Sequence, residues 1–177
     1  MARTWLSIRV ELVSGRDVRP WPRPGRIFAA ARSHTFGQLA SAIDDAFARW
    51  DRAHLWAFRF SGDVRIEPDP EGWDDSPGQA LDGHRTRLSR LKPGEQFVYE
   101  FDFGDSWLHL CTVGEQRTDP SETLGITPPG PLPYWGWGSI PDQYGRRWDY
   151  DDGGSPPPPD PGDEDLPPLL PWWGPRA

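Results

Sequence analysis

The chain has 177 residues and a formal net charge of −8, but ten arginines face five acids in residues 1–60, whereas nine basic residues face twenty-two acids in 61–177. The net negative charge repels polyanions, so the molecule as a whole is a poor candidate for sequence-blind coating of DNA, although the front is basic and the back acidic. The single cysteine, Cys111, excludes an internal disulfide and a multi-thiolate zinc site, and the length suits one domain with extra segments.

"MARTWLSIRVELV" is apolar only at alternate positions, so it reads neither as a secretory core nor as a membrane span. A soluble, cytoplasmic protein is expected. Within it, "TWLSIRVELV" (4–13) predicts a half-buried strand with Leu6, Ile8, Val10 and Leu12 on one side and Ser7, Arg9 and Glu11 on the other. The prolines and glycines of "SGRDVRPWPRPG" (14–25) end that strand. "RIFAAAR" (26–32) predicts a second. In "TFGQLASAIDDAFARW" (35–50), Phe36, Leu39, Ala40, Ile43, Ala46, Phe47 and Trp50 fall on one helical face, with Asp44 and Asp45 on or near the wet side. Thr35 with Gln38 fits a capping box.

"HLWAFRF" (54–60) predicts a strand, and "SGD" turns it into a further strand, "VRIEP". Residues 68–84 read as an acidic, irregular insert, "RTRLSRL" (85–91) as a short helix and "KPGE" (92–95) as a turn. "QFVYEFDF" (96–103) alternates, with Phe97, Tyr99, Phe101 and Phe103 on one face, and "SWLHLCTV" (106–113) is β-prone, so the two predict an antiparallel hairpin. Residues 128–152 are aromatic and are expected to pack without long elements. Residues 153–177, rich in proline and acid, predict a disordered or polyproline-like tail. The sum is an α+β domain over residues 1–150, with an antiparallel sheet packed on one main helix (35–50) plus a short one, an irregular aromatic extension, and a tail from 151.

The hairpin carries the densest chemistry, "YEFDFGDSWLH" (99–109). Asp102-Phe103-Gly104 matches the magnesium-binding tripeptide of protein kinases, but the only lysine, Lys92, lies ten residues upstream and no His-Arg-Asp occurs, so the match is fortuitous. A turn explains the residues better: Gly104 tolerates a positive φ, and Asp102 or Asp105 accepts backbone N–H groups. A strand beginning by residue 105 puts Asp105, Trp107 and His109 on one face. Two accounts of that face stay open. One is a structural triad of carboxylate, imidazole and covering indole. The other is a divalent-metal or acid–base site built from Asp105, His109 and His54 or Asp102.

These residues resemble the plasmid pRiA4b ORF-3-like family, on a helix ending in an aromatic, then a His-Leu-x-x-Phe strand, then a Tyr-x-Tyr-Asp-Phe-Gly-Asp-x-Trp-x-His pattern. The chain matches at His54, Leu55 and Phe58 and at Tyr99, Asp102, Phe103, Gly104, Asp105, Trp107 and His109, with Phe101 where the family usually has tyrosine. The match spans 4–115. It implies a compact α+β domain with an antiparallel sheet, found on plasmids, in mobile elements and in bacterial chromosomes, and brings no established activity or cofactor. Many relatives continue into a Cys-containing, Pro-Pro-Glu-Asp-Cys-Gly-Gly-like segment, where this chain has "YWGWGSIPDQYGRRW".

The first expectation is therefore a binding or interaction module with no catalytic activity assigned and no cofactor. It would contact an unknown protein partner through the aromatic segment 134–148 and the tail "PPLLPWW", and no membrane. In "YWGWG", Trp135 and Trp137 are expected to be buried by packing rather than to line a groove. A second reading takes Arg16, Arg19, Arg23 and Arg26, beside Trp21, as a nucleic-acid contact. A third is a metal-dependent hydrolase centred on Asp105 and His109.

Overall fold

The computed structural model describes residues 4–70, 78–148 and 150–156. Residues 71–77 of the acidic insert and residues 157–177 of the tail lie outside the described residues.

Among the described residues eight strands form one sheet: β1 (Trp5–Ser14), β2 (Gly25–Ala31), β3 (Trp56–Phe60), β4 (Val64–Glu67), β5 (Gln79–Asp82), β6 (Gln96–Phe101), β7 (Trp107–Val113) and β8 (Leu132–Trp137). Their order is β5-β4-β3-β6-β7-β1-β2-β8. All pairs are antiparallel except β4 with β5. Among the described residues helix is confined to α1 (Phe36–Ala46), α2 (Pro120–Leu124) and a single 3-10 turn at Leu88–Arg90. The fold is thus sheet-dominated, which corrects the α+β expectation. Two segments assigned to loops from their proline and glycine supply the outer strands β5 and β8. β8 carries Pro133 and Gly136, which an edge strand tolerates because one side of it needs no partner, whereas β5 itself holds neither residue type.

The alternation read in β1 holds. Leu6, Ile8, Val10 and Leu12 enter one core with Phe28, Phe58, Ile66, Phe97, Tyr99, Phe101, Trp107, Cys111 and Val113, and Phe36, Leu39, Ala40, Ile43 and Phe47 cover it from α1 and its C-cap. Each fully buried Phe contributes about 2–3 kcal/mol. Trp5, Ala29 and Ala31 make a smaller cluster with Tyr134.

The capping box forms as read: Gln38 N donates to Thr35 Oγ1 at 3.2 Å, and Thr35 N donates to Gln38 Oε1 at 2.9 Å. The helix ends at Ala46, short of the periodic pattern that runs on to Trp50. Ala48 takes the left-handed conformation at φ 55°, which turns the chain so that Phe47 stays buried, Arg49 is drawn inside and Trp50 is exposed. Asp44, read as near the wet side, is buried.

Candidate functional site

The β6–β7 connection is built by its carboxylates. Asp102 and Ser106, at φ 59° and 50°, take the left-handed positions, which corrects the assignment of that role to Gly104. Short polar side chains are the non-glycine residues that bear this conformation best. Asp102 Oδ1 accepts from Gly104 N at 3.0 Å and from Asp105 N at 3.4 Å, and Ser106 N donates to the Asp102 carbonyl at 2.6 Å. Ser106 Oγ donates to Glu100, which also pairs with Arg59 at 2.7 Å. Phe103 leaves the buried face and is exposed.

This turn meets the β1–β2 loop, where Arg16 N donates to the Asp105 carbonyl at 2.7 Å. A polar cleft of about 410 Å³ opens between them, lined by Arg16, Asp17, Arg19, Gly104, Asp105 and Ser106. Beside it lies a second polar group. His54 Nδ1 is 3.5 Å from Asp102 Oδ2, and Nε2 is 2.9 Å from the Tyr144 hydroxyl and 3.4 Å from Asp51 Oδ2. Tyr144 donates to Asp51 at 2.7 Å, so its oxygen is left to accept from His54. That bond holds the Asp51 carboxyl below its ordinary range and pushes the Tyr144 phenol up to about 12. Gln143 adds a reciprocal pair with the Asp51 backbone at 3.0 Å each way, Trp50 Nε1 donates to Asp142, and Arg146 lies 3.9 Å from the Trp50 ring. The relay thus clasps 142–146 onto 50–54.

The sequence-derived site does not assemble. Because β7 begins at Trp107, Asp105 sits in the turn, while His109 faces the core, fully buried between Tyr99 and Phe47. His109 Nδ1 lies 3.3 Å from the Tyr99 carbonyl oxygen; burial first, and the nearby Arg49 charge second, lower the imidazole to about 3. His54 and Asp102 do meet, but with Asp51 and Tyr144 rather than with His109. Among the described residues no group of three His, Cys, Asp or Glu could hold a metal ion.

Trp107 is sandwiched. Gly15 covers one face so closely that a Cβ there would collide with the indole, and the Arg49 guanidinium lies 3.6 Å from the ring centroid. Arg49 is 1% exposed, and burial lowers it to about 10 against the pull of Asp44 and Asp142. Asp44 accepts from the Tyr99 hydroxyl at 2.9 Å and pairs with Arg52 at 3.3 Å. Sequence reasoning missed Asp44, Arg49, Asp51 and Tyr144. The helical pattern runs unbroken to Trp50 and gives no sign of them.

Of the four arginines grouped from the sequence, Arg26 is buried and donates to the carbonyls of Gly25 and Trp137 at 2.7 and 2.8 Å, so it leaves the set. Arg16 and Arg19 line the polar cleft, and Arg23 lies 5.9 Å from the ring of Trp21. The aromatic segment also departs from expectation. Trp137 packs on Gly25 beneath Arg9, but Trp135 is 63% exposed. It borders an apolar groove of about 310 Å³ between α2 and β8, with Pro120, Leu124, Ile126, Leu132 and Tyr134. No helix among the described residues is long and apolar enough to cross a membrane.

Fold and site together define a single-sheet domain organised around a Tyr-x-Phe-Asp-Phe-Gly-Asp-x-Trp-x-His hairpin. The model of the plasmid pRiA4b ORF-3-like protein family matches residues 8–130, and the chain belongs to that family. Among solved structures it is similar to a protein of unknown function, MM3350, from Methanosarcina mazei Go1, at 20% identity and a TM-score of 0.58 over 77% of this chain and 71% of that one. The likeness to that structure is one of fold. No match was found among the curated proteins.

Proposed function

We propose that this chain is a binding module that takes an extended, apolar peptide segment of a protein partner along β8. The observation that carries the reading is the open groove between α2 and β8, whose Leu124 and Trp135 are 53% and 63% exposed. β8 borders the groove and is the last strand of the sheet, so one of its sides pairs with no strand among the described residues. An added strand gains main-chain hydrogen bonds, and the apolar groove selects its side chains. The hairpin motif supports a scaffold role beside it: His109 and Trp107 are interior, and His54 is engaged with Asp51, Asp102 and Tyr144.

Selection of peptides from a displayed library on the full chain tests this. Extended apolar sequences should be recovered, and Leu124→Asp and Trp135→Ser should each weaken them about tenfold or more, as expected of anchor residues, with an unchanged circular dichroism spectrum. Binding indifferent to both substitutions would overturn the proposal.

A further inference from the structure

We infer that the β1–β2 loop is a contact site for a short stretch of single-stranded nucleic acid, with Trp21 stacking on a base and Arg16, Arg19 and Arg23 holding the phosphates beside it. This site shares no residue with the peptide groove and stands or falls independently of it.

The loop is built to present these groups. Gly15 and Val18 bridge across a two-residue turn in which Arg16 and Asp17 have φ of 42° and 63°. Neither is glycine, and a pair of left-handed residues carries backbone strain of the kind concentrated at binding sites. The strained turn is fastened to the β6–β7 connection by the Arg16 N to Asp105 O bond, which sets Arg16 and Arg19 on the wall of the polar cleft. The chain then runs Pro20-Trp21-Pro22-Arg23-Pro24. The prolines fix φ on both sides of the tryptophan, so little freedom remains to be lost on binding. Trp21 is 82% exposed, and its own neighbour Arg23 already lies over the ring.

An indole held in water on a stiff loop, with guanidinium groups within a few residues, matches the two chemistries of a nucleotide. The flat ring stacks on any base, and arginine pairs bidentately with phosphate oxygens. Single strands are favoured because a base must be unstacked to lie on Trp21. The site is short because Asp17 and Asp105 border the same cleft and the remainder of the chain is acidic. The Arg16–Asp105 pair, 4.0 Å apart and partly exposed, is an exchangeable contact of the kind worth little in water.

Fluorescence anisotropy of the full chain with a labelled oligothymidylate of about a dozen nucleotides, across roughly 20–200 mM salt, tests this against a duplex of equal length. Saturable binding is expected, weaker for the duplex, with a log–log salt slope of about −0.7 per phosphate contact and thus about −1.4 to −2.1 for two or three. Trp21→Ala should lower affinity by roughly tenfold, and Arg19→Gln should reduce the slope by about 0.7. Absence of saturable binding at the lowest salt, equal affinity for the duplex, or an affinity unmoved by Trp21→Ala would each overturn the inference.

Discussion

Two buried side chains, Asp44 of α1 and His109 of β7, are shifted in opposite directions. Desolvation pushes the Asp44 carboxyl from 3.8 up to about 7, against the Tyr99 hydrogen bond and the Arg52 and Arg49 charges. His109 goes from 6.5 down to about 3, by burial and then by Arg49. The raised acid contributes stability that is complete below pH 3.8 and lost as pH climbs through 7. The lowered imidazole contributes stability that is complete above pH 6.5 and lost as pH falls toward 3. Their windows overlap with opposed slopes, while Asp51 and Asp142, both lowered, act only at more acid pH. The melting temperature should therefore change little between about pH 4 and 6.5. Asp44→Asn should uncover the imidazole slope, so that thermal melts rise with pH and level off near pH 6.5. A flat profile in that variant would contradict a neutral, buried His109. None of this was legible in the sequence. Periodicity places Asp44 beside the wet face, and only the cross-strand register Tyr99↔His109 brings the partners under the helix.

At the scale of elements the sequence was most readable where one rule governed. The strands β1 and β6 follow from alternation, and β2, β3, β4 and β7 from short β-prone runs bounded by turn residues. The α1 start follows from Thr35 and Gln38 because both halves of the box are local. Thr35→Ala should cost about 1 kcal/mol, and Gln38→Ala less. Denaturant titration of both variants checks the order, and a Thr35→Ala protein as stable as the parent would contradict the cap. The α1 end was not readable, since it depends on Arg49 reaching Trp107 across the fold. Nor were β5, a four-residue strand set just after Gly78 and just before Gly83, and β8, whose Pro133 and Gly136 are tolerated because it lies at the margin of the sheet. The candidate site was half legible: motif residues were found, but alternation carried two positions too far moved Asp105 onto the strand, on the same face as His109.

Across the whole molecule, the segment 142–146 returns to the α1–β3 connection and is held there by Asp51, His54 and Trp50. Tyr144→Phe removes one hydroxyl that serves both Asp51 and His54. Hydrogen exchange should then quicken at the amides of 143–146 while β6 and β7 remain protected, with a stability loss of about 1 kcal/mol. Equal acceleration across the sheet would show that the clasp is not a separate unit.

The strand order also sets a schedule for synthesis. β1 lies between β2 and β7, and Ile8 is paired with Val113. A ribosome adding about 5–20 residues per second needs roughly 5–20 s to pass from one to the other. For that interval the first strand emerges with one flank unmatched and its Ile, Val and Leu row uncovered. A nascent chain of this kind invites trigger-type chaperones, and expression at lower temperature, which slows aggregation more than it harms pairing, should raise the soluble yield.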